Sequence, residues 1–284
     1  MVPRYHELLQ LLVDQALKED IGDGDHSTLS CISPGAEGKA VLKIKEAGIL
    51  AGVDVAAFIF QYIQPDSVFT AFKKDGDRMV EGEKAFEVEA KTHTILQCER
   101  LVLNCMQRMS GIATLTNEYV QLISGYKTKL LDTRKTTPNF RLLEKEAVRI
   151  GGGVNHRFAL YDMIMLKDNH IDYCGSIEEA IERAWTYVQQ VKPGLKIEVE
   201  TRSLDDVKRV LQTGKADRIM LDNFTPAMLK EAVDLINNRV ETEASGGINK
   251  KNICDYAATG VDFISVGALI HQARSLDLSL KAIK

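Results

Sequence analysis

LDTRKTTPNFRLLEKEAVRIGGGVNHRFALYDMIMLKDNHI, residues 131–171, gathers Arg134, Lys135, Arg141, His156, Arg157, Lys167 and His170 into one segment. The apolar cores at 129–131 and 163–166 each run straight into a cationic cluster, as a strand runs into a loop. The whole chain carries 36 Lys and Arg against 40 Asp and Glu, so these cations are not part of a general basic coat. Clustered like charges are costly unless a polyanion joins them. The segment therefore suits a pocket for a small molecule bearing several negative charges.

Working outward, further apolar cores appear at 197–199, 218–221, 243–245 and 263–266, with SIEEAIERAWTYVQQV and SLDDVKRVLQTG as helical stretches between them. Alternating strands and helices favour a parallel sheet. Polar residues just past each strand suggest an α/β-barrel with its site at the C-terminal mouth. An open doubly wound sheet is the competitor, but no GxGxxG follows the first strand. Upstream, residues 4–19 have helical spacing with Leu8, Leu11, Leu12 and Ala16 on one stripe. KAVLKIKEAG and VFTAFKKDGD read as strands, AGVDVAAFIFQYI as a helix, and two helices are expected over about 94–111 and 113–124.

With 284 residues, 45% of them apolar, the chain can bury one large or two modest cores. A net charge of −4 and a pI near 5.9 argue against a broad nucleic-acid or membrane-binding surface. Five cysteines without a CxxC pair read as small buried hydrophobes in a reducing compartment. The N-terminus contains acidic residues and lacks the apolar core of a signal peptide. No stretch approaches the roughly 20 apolar residues of a membrane span. A soluble, cytoplasmic protein is expected.

Two carboxylates complement the cations. In KIEVE, alternation puts Ile197 and Val199 on one face and Glu198 and Glu200 on the other, toward the barrel interior if the apolar face meets the helices. Asp222 ends RIMLD, and with Glu200 it could hold a hydrated Mg²⁺; the alternative is that both are internal ion-pair partners. SGGIN (245–249) and SVGA (265–268) offer backbone N–H groups at neighbouring strand ends, the usual phosphate site after the last strands of a barrel.

DTRKTTP with its following arginine, EKEAVRIGGGVNHR, YDMIMLKDNHI, IEVE, IMLDN, SGGI and SVG, in this order, resemble quinolinate phosphoribosyltransferase (decarboxylating nicotinate-nucleotide pyrophosphorylase). ALKEDIGDGDHST, AGILAG and ERLVLNCMQRMSGIAT extend the resemblance over nearly the whole chain. It implies an N-terminal α/β-sandwich domain over 1–112, with a C-terminal helix at 271–284 packing back on it, and a seven-stranded incomplete α/β-barrel over 113–270. Six of those strands can be placed. The implied activity is a pentosyl transfer: phosphoribosyl pyrophosphate and quinolinate give nicotinate mononucleotide, pyrophosphate and CO2 in de novo NAD biosynthesis. Carried over residue by residue, Arg134, His156, Arg157 and Lys167 bind the two quinolinate carboxylates, and Arg100 joins them from the partner subunit of a homodimer, with or without further assembly. Lys135, Glu200 and Asp222 are the catalytic set facing the pyrophosphate and Mg²⁺, the metal being held directly or through water. Ser245, Gly246 and Gly267 cradle the 5′-phosphate.

One departure stands beside the motif: the family often has glycine after TTP, and Asn139 stands there. Asparagine tolerates left-handed geometry, so altered loop mobility rather than lost activity is expected. EVEAKTHTILQ is a looser match away from the site. Two other readings are a paralogue associated with molybdate uptake, acting on a pyrimidine- or pyridine-like acceptor, and a silent barrel that senses phosphorylated metabolites. His156–Arg157 with Lys167 weighs against the first, and Glu200 with Asp222 against the second.

Overall fold

A computed structural model describes residues 4–283. In chain order the elements begin with α1 (Tyr5–Ile21), α2 (His26–Cys31), β1 (Glu37–Ile44), β2 (Gly48–Ile49), α3 (Val53–Ile63), β3 (Val68–Ala71), β4 (Arg78–Met79), β5 (Lys84–Lys91) and α4 (Thr92–Leu122). Then come β6 (Lys129–Leu131), α5 (Arg141–Ile150), β7 (Ile164–Leu166), α6 (Asp168–Cys174), α7 (Ile177–Gln190), β8 (Ile197–Thr201), α8 (Leu204–Thr213) and β9 (Arg218–Asp222). The chain ends with α9 (Pro226–Ile236), β10 (Glu241–Ser245), α10 (Ile253–Ala257), β11 (Phe263–Ser265), α11 (Ala268–His271) and β12 (Leu278–Ile283). It divides into two units: the described residues of Met1–Asn117, Thr136–Gly152 and Leu269–Lys284, and those of Glu118–Lys135 and Gly153–Ala268.

The first unit is built on an antiparallel sheet of order β12-β1-β5-β3, with β2 and β4 paired separately. Phe60 of α3 packs against Phe69 and Phe86 of the sheet, with ring centroids 6.3 Å apart in each case. Here the structure corrects four expectations. The stripe of α1 is displaced: Leu9 and Val13 are buried while Leu11 is 59% exposed. Leucines on several faces of LLQLLV leave periodicity unable to choose between them. The two helices expected over 94–124 are one, α4, which passes through Gly111 without a break. A Cβ at Gly111 would lie 1.8 Å from the Arg274 carbonyl oxygen, so this glycine admits a close backbone crossing. The C-terminal helix expected at 271–284 is instead strand β12 over its latter part, antiparallel to β1 with Leu280 opposite Leu42. Leu278, Leu280 and Ala282 alternate with polar residues, a period of two that only a sheet accommodates. Residues 136–152, expected with the barrel, belong to the first unit. Arg108 donates to buried Glu144 through Nε (3.0 Å) and Nη2 (2.9 Å), and a Cβ on Gly151 would lie 2.4 Å from the Ala113 carbonyl. The cysteines are all free; Cys98 and Cys105 are buried as expected, their thiols pushed up to about 12 by burial, but Cys31 is exposed.

The second unit carries the six expected parallel strands in the order β6-β11-β10-β9-β8-β7. Laid on a ring, this is simple sequence order with one seam between β6 and β7, the topology of an opened barrel and not of a doubly wound sheet. The seventh strand shrinks to a single residue: Val154 bridges Leu131 in parallel, donating to Leu130 O at 2.8 Å. Helices restart after the strands through side-chain caps. Ser176, Ser203 and Thr225 accept the N–H of Glu179, Asp206 and Met228 respectively, and Pro226 occupies the first turn of α9.

Register explains what the strands show to each side. Glu198 lies opposite Arg218, Glu200 opposite Met220, Glu243 opposite Met220 and Phe263, and Ser245 opposite Asp222. One face of β8–β11 is therefore Glu198, Glu200, Arg218, Met220, Asp222, Glu243, Ser245 and Phe263. The other is Ile197, Val199, Ile219, Leu221, Ala244 and Ile264, all buried. The apolar set is the one that suits the helices, and the ionic set is the one that suits the interior.

Candidate active site

Parallel strands bring all their C-terminal ends to one edge, and the candidate residues of the second unit meet there. Arg134 and Lys135 follow β6, Lys167 follows β7, Glu200 and Asp222 close β8 and β9, Ser245 ends β10, and Gly267 lies just past β11.

Arg134 and Arg157 are neighbours of like sign. Burial, and then the charge of Arg134, hold the Arg157 guanidinium below its ordinary pKa. Arg157 donates from Nη1 to Met163 O at 3.1 Å, whereas the buried Nε of Arg134 has no hydrogen-bond partner among the described residues. Two guanidinium groups whose charges oppose each other, one with an unused buried donor, suit an anion.

Lys167 lies 3.7 Å from Glu200, and Arg202 lies 2.6 Å from Asp168. Burial raises the pKa of Glu200; Lys167 lowers it and the nearby charge of Asp222 raises it. Asp222 itself accepts Asn223 Nδ2 at 2.6 Å. Two oxygen-only acids close enough to oppose each other's ionisation suit a hard cation. A cleft of about 250 Å³ lined by Asp168, Ile171, Glu200, Arg202 and Arg209 lies alongside.

Lys135 is exposed, its backbone N–H donating to Thr133 Oγ1 at 3.1 Å. Asn139 adopts the left-handed φ of 62° expected of it. Gly246 has a φ of 95°, and a Cβ there would come 2.2 Å from Asn223 Oδ1, so this position demands glycine on packing grounds as well. Arg100, in the first unit, is exposed on α4.

His156 is placed differently from the sequence expectation. Its ring is turned inward, with the side chain only 4% exposed, and Nε2 lies 2.9 Å from Glu198 and 3.1 Å from Glu243. Arg218 completes the interior cluster, 3.3 Å from Glu243 and stacked 4.2 Å over Phe263. Burial opposes charge on the imidazole, but the two carboxylates outweigh it and push its pKa up to about 9. The Arg157 N–H, however, points at Nδ1 from 2.6 Å, and this acceptor position leaves room for a proton on Nε2 alone. Burial and the neighbouring charge of Glu243 raise Glu198. For Glu243, burial is outweighed by His156, Ser265 and Arg218, which lower it. One extra proton among His156, Glu198 and Glu243, with Arg218 beside them, leaves the buried cluster without net charge.

Sequence reasoning missed Asp132, Arg218 and Glu243. Asp132 is fully buried and holds the GGGVNHR loop, accepting His156 N–H at 2.8 Å and Asn155 Nδ2 at 2.7 Å. The signal for Arg218 and Glu243 was available: period-two alternation in RIMLD and ETEAS puts each on the same face as a residue that was identified, Asp222 and Ser245.

Residues 25–110 match the family described as quinolinate phosphoribosyl transferase, N-terminal domain, and residues 112–281 match its C-terminal domain. The chain is 43% identical over 288 residues to quinolinate phosphoribosyltransferase [decarboxylating] 1b of Nicotiana tabacum, covering 96% of this chain and 82% of that protein. It is equally similar to the chloroplastic nicotinate-nucleotide pyrophosphorylase [carboxylating] of Arabidopsis thaliana, with the same coverage. The crystal structure of NadC from Streptococcus pyogenes superposes with a TM-score of 0.88 at 40% identity, covering 96% of each chain.

Proposed function

Because this chain belongs to the quinolinate phosphoribosyltransferase family, which transfers a phosphoribosyl group to quinolinate with loss of CO2 in NAD biosynthesis, we propose that the strand-end cluster is the site of that reaction. The observation that carries the proposal is the pair Arg134 and Arg157, with a buried guanidinium N–H of Arg134 still to be satisfied. Quinolinate, with two adjacent carboxylates, is the substrate that such a pair fits. Lys167, which follows β7 and lies against Glu200, is the third cation of the second unit assigned to the same anion.

Glu200 and Asp222 fit Mg²⁺, held directly or through water, because both are oxygen ligands whose charges oppose each other. A Mg²⁺ held by these two carboxylates would supply positive charge to the departing pyrophosphate. Lys135 is the cation available for the same leaving group, exposed and without an ion pair among the described residues. Ser245, Gly246 and Gly267 hold the 5′-phosphate through backbone N–H groups. With both substrates fixed, the pyridine nitrogen forms its bond to ribose C1 as the C1–O bond to pyrophosphate breaks. The ring nitrogen is then cationic, so the electron pair left at C2 by departing CO2 is stabilised, and C2 takes a proton from solvent. Catalysis is positioning and charge stabilisation, with no covalent nucleophile.

The proposal includes a homodimer in which Arg100 completes the partner's carboxylate site; its exposure on α4 supports this. Arg100→Ala and Lys135→Ala should each be nearly inactive. Mixed and allowed to exchange, they should recover about a quarter of wild-type activity, since about half the dimers hold one intact site under two-fold symmetry. Background activity despite demonstrated exchange removes Arg100 from the partner's site. A cytoplasmic location is also proposed, supported by free cysteines and the absence, among the described residues, of any helix long and apolar enough to cross a membrane. Cell fractionation checks it.

A further inference from the structure

We propose that His156 is a positioning residue for Arg157 and does not touch quinolinate. The inference rests on the reading that Arg157 holds a quinolinate carboxylate. The His156 side chain is 4% exposed, and both ring nitrogens already face protein groups. Nδ1 accepts the Arg157 N–H at 2.6 Å, while Nε2 faces Glu198 at 2.9 Å and Glu243 at 3.1 Å. The His156 backbone N–H is held at 2.8 Å by Asp132, at the end of β6 and two residues before Arg134. Arg157 is thus pinned at its backbone through the His156 ring and at its guanidinium through Met163 O, 3.1 Å away. The purpose is physical: two adjacent guanidinium groups repel, and in the absence of an anion Arg157 would swing away from Arg134 unless its backbone were fixed.

His156, Glu198 and Glu243 also have the composition of a metal site, their ligand atoms lying within 4.8 Å of one another. That alternative fails on the tautomer. A metal on Nε2 requires the ring proton on Nδ1, where the Arg157 N–H already points. Arg218, 3.3 Å from Glu243, already supplies the cation the carboxylates need.

The test is a double-mutant cycle read in steady-state kinetics. In His156→Gln the amide can still donate toward Glu198 and Glu243 but offers no acceptor at the position of Nδ1. It should raise KM for quinolinate about tenfold with kcat within about threefold. In an Arg157→Lys background the same change should add less than about twofold, because its effect runs through Arg157. An equal, additive rise in both backgrounds overturns the proposal, since a direct ligand acts independently of its neighbour. His156→Asn, whose Oδ1 keeps the acceptor, gives a second readout should the glutamine variant fold poorly. It should hold KM near wild type, at a lower thermal midpoint because the glutamates lose the imidazole beside them. A KM raised as far as a direct ligand's loss requires would overturn the proposal. If Arg157→Lys alone leaves KM unchanged, the carboxylate-site reading fails and the proposal falls with it.

Discussion

Arg134→Ala should lose about a thousandfold in kcat/KM for quinolinate while its thermal midpoint stays level or rises. The two effects have one cause. In the free protein the Arg134 Nε is a buried donor without a partner, and its charge is set against that of Arg157. Removing it deletes a buried, unsatisfied group, which does not lower stability. Removing it from the complex leaves a quinolinate carboxylate unpaired in a partly desolvated pocket, a loss of about 4 kcal/mol and so about three orders of magnitude in rate. Steady-state kinetics and a melting curve on one preparation settle both signs. Activity above a tenth of wild type, or a fall in midpoint that explains the lost activity, takes Arg134 out of the substrate site.

Chelation should be as severe. With excess EDTA, turnover should fall to background, and Mg²⁺ or Mn²⁺ should restore it while Zn²⁺ does not. Glu200 and Asp222 offer only oxygen, and the pKa of Glu200 is raised by burial and by Asp222 despite Lys167, so the pair lacks one positive charge. Asp222→Asn relieves that repulsion and should require a higher Mg²⁺ concentration for half-maximal rate. Full activity in chelator would leave the two acids as partners of Lys167 and Asn223 and nothing more.

The barrel was legible because each of its strands is an apolar core closed by a polar residue, and the helices after β8 and β9 begin on the Ser203 and Thr225 caps, and these are local signals. Glu200 and Asp222 were legible for the same reason: a period-two strand fixes which side chains share a face. What local pattern cannot give is a partner distant in sequence. LSLKAI alternates like a strand, but its reason to be one is β1, more than two hundred residues earlier, so it was taken for a helix. Helix α5 follows the barrel's first loop in sequence, yet it belongs to the first unit, where Glu144 answers to Arg108, more than thirty residues earlier. His156 looked like one more cation in a cationic segment. Only the register of β8, β9 and β10 places Glu198, Arg218 and Glu243 on the interior face that its ring meets.

The central claim is that a pair of guanidinium groups reads both carboxylates of the acceptor. The most direct measurement is kcat/KM for quinolinate against nicotinate, which lacks the 2-carboxylate, at saturating phosphoribosyl pyrophosphate and Mg²⁺. A site whose charges are left unpaired by the smaller substrate should discriminate by about ten-thousandfold or more. Turnover of the two acids within tenfold of each other would contradict the account.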